Sequence, residues 1–91
     1  MQIRVYATLR ELLGQARLSV PVIGSATVGD VLEALVGEYP VLEGKLWDAN
    51  HNLTGYVTVF LNGRSIEYLS GVATAVADTD TLALFPPVGG G

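Results

Sequence analysis

Thr27-Val28-Gly29-Asp30-Val31-Leu32-Glu33-Ala34-Leu35-Val36-Gly37-Glu38-Tyr39-Pro40 is a helix written with its own start and stop. The Thr27 hydroxyl can accept from the Asp30 amide while the Asp30 carboxylate reaches back to the Thr27 amide, the spacing of a capping box. Val28, Val31, Leu32, Leu35, Val36 and Tyr39 recur at three- and four-residue steps, one apolar stripe of a 3.6-residue period. Pro40 closes the run. A single stripe of this kind needs an apolar surface to cover, and the flanking sequence supplies one. Upstream, Ile3, Val5 and Ala7 alternate with Gln2, Arg4 and Tyr6, the period of a half-buried strand over Gln2 to Thr8. Leu9 to Leu13 makes a helical turn ended by Gly14. Leu18, Val20 and Val22 then alternate with Ser19, Pro21 and Ile23 in a second strand hairpinned onto the first. Pro21 lacks a donor and assigns that strand to an edge.

Downstream, Leu42, Leu46 and Trp47 form a short second apolar helix, and Asp48 to Gly55 is a polar loop. Val57, Val59 and Leu61 face one way along a third strand, with Tyr56, Thr58 and Phe60 facing the other. Asn62-Gly63 is a hairpin signal, and Arg64 to Glu67 gives a short fourth strand. Tyr68 to Ala77 is an irregular connection, Asp78-Thr79-Asp80 a turn, and Thr81 to Phe85 the last strand, with Leu82 and Leu84 inward. One helix covering one face of a small mixed sheet defines an α+β fold, a β-grasp or ubiquitin-like roll of four to five strands. Residues 1–85 form this domain, and residues 86–91 an extended C-terminal tail. In that topology the first and last strands are parallel neighbours in the middle of the sheet.

Composition removes whole classes of chemistry. The 91 residues suffice for one domain, burying roughly 60–65% of the surface of the unfolded chain. With no cysteine, the chain has no disulfide, thiolate nucleophile or zinc–thiolate site. Nine acidic residues against five basic ones give a net charge of −4, the wrong sign for a nucleic-acid partner. No apolar run approaches the ~20 residues that cross a bilayer, so no membrane partner is expected and the location read from the sequence is cytoplasmic. His51 is the only histidine and stands in a polar loop without companions, so no metal or acid–base centre is assigned.

Phe85-Pro86-Pro87-Val88-Gly89-Gly90-Gly91 ends the sequence. Pro86 and Pro87 have no N–H, which stops strand pairing and favours an extended exit. Gly89, Gly90 and Gly91 lack side chains, so this strap can thread a narrow channel, with the Gly91 carboxylate at its end. Tyr6, Phe60 and Phe85, with Tyr56, face away from the helix-covered side and are proposed as a partner-docking patch beside the tail.

Val5-Tyr6-Ala7-Thr8-Leu9-Arg10-Glu11-Leu12-Leu13-Gly14, the helix start Thr27-Val28-Gly29-Asp30, Phe60-Leu61-Asn62-Gly63-Arg64 and Leu84 to Gly91 together resemble the MoaD/ThiS-type ubiquitin-like sulfur carriers over the whole chain. The likeness is greatest to the small subunit of molybdopterin synthase, with Gly89 as a mild departure. The resemblance implies that an E1-like adenylating enzyme uses ATP to activate the Gly91 carboxylate, and that a sulfur donor then displaces AMP to leave a thiocarboxylate. Pro86, Pro87, Val88, Gly89 and Gly90 would thread the tail into the partner. A sulfur acceptor enzyme such as the large subunit of molybdopterin synthase would consume the sulfur. The chain itself would be a cosubstrate without catalytic groups, metal or bound cofactor.

Two other outcomes share the same terminus. Gly71 to Asp78 resembles the equivalent stretch of carriers serving cysteine synthesis. Alternatively, the activated Gly91 carbonyl is captured by a lysine amine, making the chain a ubiquitin-like protein modifier. Lys45 is the only lysine, which argues against polymer signalling but not against single attachment. An inert tail on a plain interaction module is the third class.

Overall fold

The computed structural model describes residues 1–86. Strand β1 (Gln2–Val5) is followed by helix α1 (Ala7–Leu13), β2 (Arg17–Ser19), β3 (Ala26–Thr27) and helix α2 (Val28–Glu38). A 3-10 turn at Pro40–Leu42 runs into α3 (Glu43–Leu46), then β4 (Thr58–Leu61), β5 (Arg64–Ser65), β6 (Ala75–Val76) and β7 (Thr81–Phe85). Five strands form one mixed sheet in the order β2-β1-β7-β4-β5, and β3 pairs with β6 in a separate two-stranded ladder. Among the described residues only β1 and β7 run parallel, at the centre, with Ile3 opposite Leu82 and Val5 opposite Leu84. This is the expected β-grasp roll, with the upper strand count.

The alternation in the strands becomes a division of faces. Ile3, Val5, Val59, Leu82 and Leu84 are buried on one side, and α2 covers them with Val28, Val31, Leu32 and Leu35. The helix starts where its chemistry says it should. Thr27 Oγ1 accepts from the Asp30 amide at 3.2 Å, and the Asp30 carboxylate accepts from the Thr27 amide at 3.0 Å. Leu42, Leu46 and Trp47 close the far end of the core.

Several boundaries differ from the sequence reading, each for a local reason. β1 stops at Val5 rather than Thr8, because Tyr6 becomes the N-cap of α1 and Ala7 turns left-handed at φ 52°. β2 ends at Ser19, although Val20 stays buried and carries the alternation past the ladder; as expected, β2 is an edge strand. The third strand starts at Thr58, not Tyr56. The fourth ends at Ser65, whose side chain accepts from the Glu67 amide and turns the chain into a 3-10 helix at Ile66–Tyr68. The connection read as irregular contains β6, whose two residues pair with β3. A two-residue bridge is too short to show a period.

Asn62 and Gly63 both take positive φ, 50° and 84°, the type I′ geometry that matches strand twist in a two-residue hairpin. Their turn is tied to β7. Asn62 accepts from the Thr81 amide at 2.9 Å and donates to Asp80 at 3.0 Å. The Asn62 side-chain bond, then the Ala77 amide, hold the Asp80 carboxyl below its ordinary range.

Asp78 fastens the other end of the sheet. Its carboxylate accepts from the Met1 ammonium at 2.7 Å and from the Val22 amide at 3.1 Å. The ammonium bond, then the Val22 bond and the ammonium charge, lower its pKa. A carboxyl whose pKa is depressed on folding contributes stability that is full above its unfolded value, about 3.9, and is lost as pH falls through the folded value. Asp78→Asn is therefore expected to lower the melting temperature at pH 7 and to flatten the acid limb of a melting-temperature profile below about pH 4. An acid limb identical to that of the parent protein would contradict this role. For the core, Leu35→Ala should cost about 2–5 kcal/mol in denaturant unfolding, since Leu35 is fully buried under the sheet.

Candidate functional site

The open face of the sheet is built by the residues that alternate with the core. β1 and β7 bring Tyr6 and Phe85 together at the end of their parallel pairing, one residue past the Val5–Leu84 pair. Their rings stack with centroids 4.5 Å apart and planes 5° from parallel. Phe60, on β4, meets Phe85 edge-on at 5.3 Å and 71°. Both geometries suit the quadrupoles of aromatic rings. The three predicted patch residues therefore form one contiguous cluster, with Phe85 at its centre. Because the rings shield one another, each is half-buried rather than fully exposed.

Tyr56 does not join this cluster. It precedes β4, and its ring lies under Lys45 Nζ at 4.8 Å, a cation–π contact. The sequence periodicity extended β4 two residues too far and carried Tyr56 along with it.

Ala7 sets the angle of Tyr6. A left-handed backbone costs a residue with a Cβ roughly 1–2 kcal/mol, and Ala7 adopts it at the first position of α1. The chain thus leaves the sheet within one residue while the Tyr6 carbonyl still accepts from the Leu9 amide at 3.1 Å. Strain of this kind gathers at functional positions. Arg10 lies exposed on α1, its carbonyl accepting from the Gly14 amide at the helix end.

Phe85 is the last strand residue, and Pro86 after it is unpaired but buried. The first proline thus packs on the body. Pro87, Val88, Gly89, Gly90 and Gly91, expected to thread into a partner and to carry the reactive carboxylate, lie outside the described residues.

His51 has a structural occupation. Its ring stacks on Trp47 at 4.3 Å and 15°, and its Nε2 pairs with Glu33 on α2. Among the described residues no group of three or more His, Asp or Glu is placed to hold a metal, and no helix is long and apolar enough to cross a membrane. Sequence reasoning gave His51 no partners because Trp47 and Glu33 reach it from separate elements.

A sheet that clasps one helix, with its last strand at the centre, defines a small β-grasp protein of the ubiquitin-like class. The chain belongs to the ThiS family, whose model matches residues 3–91. It is similar to Small archaeal modifier protein 3 of Haloferax volcanii, 43% identical over 91 residues that cover 100% of this chain and 98% of that one. The crystal structure of SAMP1 from the same organism matches with a TM-score of 0.87 and 41% identity, covering 100% and 98% of the two chains. Sulfur carrier protein CysO of Mycobacterium tuberculosis is 31% identical over 67 residues, covering 71% of this chain and 72% of CysO. The protein is thus a non-catalytic carrier, as expected. These relatives favour the modifier alternative over the molybdopterin-specific expectation.

Phe85 makes two ring contacts and Phe60 one. Phe85→Ala is accordingly expected to destabilise the fold more than Phe60→Ala, by about 0.5–1.5 kcal/mol in urea unfolding. Equal losses would mean that the stack with Tyr6 contributes nothing.

Proposed function

We propose that this chain is a ubiquitin-like modifier whose Gly91 carboxylate is activated by an E1-like adenylating enzyme and transferred to lysine amines of other proteins. The observation that carries the reading is whole-length likeness, at 43% and 41% identity, to two proteins named small archaeal modifiers. The chemistry needs nothing that the chain lacks. A Gly91 carboxylate oxygen attacks the α-phosphorus of ATP, releasing pyrophosphate and forming an acyl adenylate. A lysine ε-amine then attacks the acyl carbon, loses its proton, and AMP departs with the bonding pair. An unsubstituted glycine offers that carbon without steric hindrance.

Gly91 stands six positions after Phe85, so chain length limits the carboxylate to within about 22 Å of the ring cluster. One partner can therefore grip Tyr6, Phe60 and Phe85 while holding Gly91 in its active site. Pro86, Pro87, Val88, Gly89 and Gly90 form the lead between the two. Prolines limit the entropy lost when such a lead is ordered.

Sulfur transfer is the second reading, favoured by the likeness to CysO. It shares the adenylate, with a sulfur donor displacing AMP to leave a thiocarboxylate. In the cells that make this protein, proteolysis and mass spectrometry are expected to find lysines carrying its tail through an isopeptide bond, and deletion of Gly91 should abolish them. A pool holding only the form with oxygen replaced by sulfur, and no conjugates, would make sulfur transfer the function instead.

A further inference from the structure

The outer edge of the sheet at β2 is an unused hydrogen-bonding template. The Val5 amide donates to Ala16 and the Val20 amide to Met1, both at 3.0 Å. Ile3 and Leu18 are therefore the hydrogen-bonded pair between them, and Arg4–Arg17 and Gln2–Ser19 are pairs of the other kind. The N–H and C=O groups of Arg17 and Ser19 thus point away from β1. β2 ends the sheet, and among the described residues no hydrogen bond reaches those outward groups. Pro21, next in the same alternation, has no N–H, so the template stops there.

Each flank of this edge has its own chemistry. On the open side Arg17 faces Arg4 in a non-hydrogen-bonded pair, the closer of the two kinds, and both side chains are exposed. Among the described residues neither forms an ion pair, so the like charges repel. On the helix side lies a groove of about 460 Å³ between β2 and the end of α2, lined by Leu18 and Tyr39, with Gln15 and Glu38 beside them. Gln15 Nε2 donates to the Tyr39 hydroxyl at 2.9 Å and ties that ring to the turn after α1.

We propose that the β2 edge takes an extended segment of a partner protein as an added strand. Its carboxylates would meet Arg4 and Arg17 on the open side, and a β-branched apolar side chain would lie against Tyr39 on the other. Strand addition draws affinity from main-chain bonds and specificity from alternate side chains, and arginine forks suit carboxylates. An acidic strand also relieves the repulsion that the isolated sheet bears. A second copy of this chain is a poor occupant, because pairing β2 with β2 would gather four arginines on one face and bring no carboxylate. β1 separates this edge from β7. The site is thus a place for non-covalent recognition that goes beyond the modifier reading and does not depend on the chemistry of Gly91.

The probe is the end-capped peptide Glu-Val-Glu-Val-Glu, titrated into the isotope-labelled full chain and followed by NMR and amide hydrogen exchange. Saturable binding is expected, with exchange slowed at the Arg17 and Ser19 amides and little changed at Leu18, whose amide already bonds to β1. Replacing the glutamates of the peptide by glutamine should weaken binding about tenfold. R4E/R17E keeps two like charges facing each other, so its melting temperature should stay close to that of the parent. It should reject the glutamate peptide and bind Lys-Val-Lys-Val-Lys instead. S19P removes only an outward N–H and should weaken binding of the glutamate peptide. Absence of saturable binding, equal affinity for the glutamine peptide, or protection that spares Arg17 and Ser19 would overturn the proposal. So would an R4E/R17E chain that still prefers glutamate, or self-association of the parent through the same amides, which would make a second copy the occupant.

Discussion

The parallel pairing of β1 with β7 is the constraint on which the rest of the molecule depends. Placing Val5 opposite Leu84 and Ile3 opposite Leu82 buries the centre of the sheet under α2. The same register puts the residues of opposite orientation on the open side, where Tyr6 meets Phe85 and Arg4 lies beside Ala83. A slip of one residue would exchange the two faces, taking leucines to solvent and rings into the core. Core and candidate site are therefore two consequences of one register. That linkage explains why a strand only five residues long can both complete the fold and deliver the tail.

Two tethers hold that register at its ends. Asp78 binds the Met1 ammonium and the Val22 amide, joining the start of β1 to the turn before β7. Asn62 and Asp80 join the β4–β5 turn to the start of β7. The last strand is thus fixed where it begins, and its far end presents Phe85 and Pro86. The chain supplies a rigid platform and a leaving strand.

Much of this was legible in the sequence because it is periodic or capped. The α2 stripe, the Thr27–Asp30 box, the Asn62-Gly63 turn and the alternation of Leu82 and Leu84 each carry their own signal, and each is found where it was read. The tertiary contacts were not legible. The β3–β6 bridge is too short to show a period, and Tyr56 was assigned to the ring cluster because alternation cannot tell where a strand begins. The opposition of Arg4 and Arg17 depends on a register that neither strand encodes alone. The acceptor was not legible for a different reason. The tail chemistry proposed for Gly91 serves sulfide and amine alike, so Phe85-Pro86-Pro87-Val88 does not by itself choose between molybdopterin synthesis and protein modification, while the whole-length likeness is to proteins named small archaeal modifiers.

Activation of the Gly91 carboxylate is common to both functional readings, and trapping the activated acyl group tests it most directly. The protein is incubated with ATP, the adenylating enzyme of its own cells and neutral hydroxylamine, and the products are mapped by peptide mass spectrometry. The account predicts one hydroxamate, at Gly91, formed only when ATP is present. No hydroxamate, or one on an aspartate or glutamate side chain instead of Gly91, would contradict it.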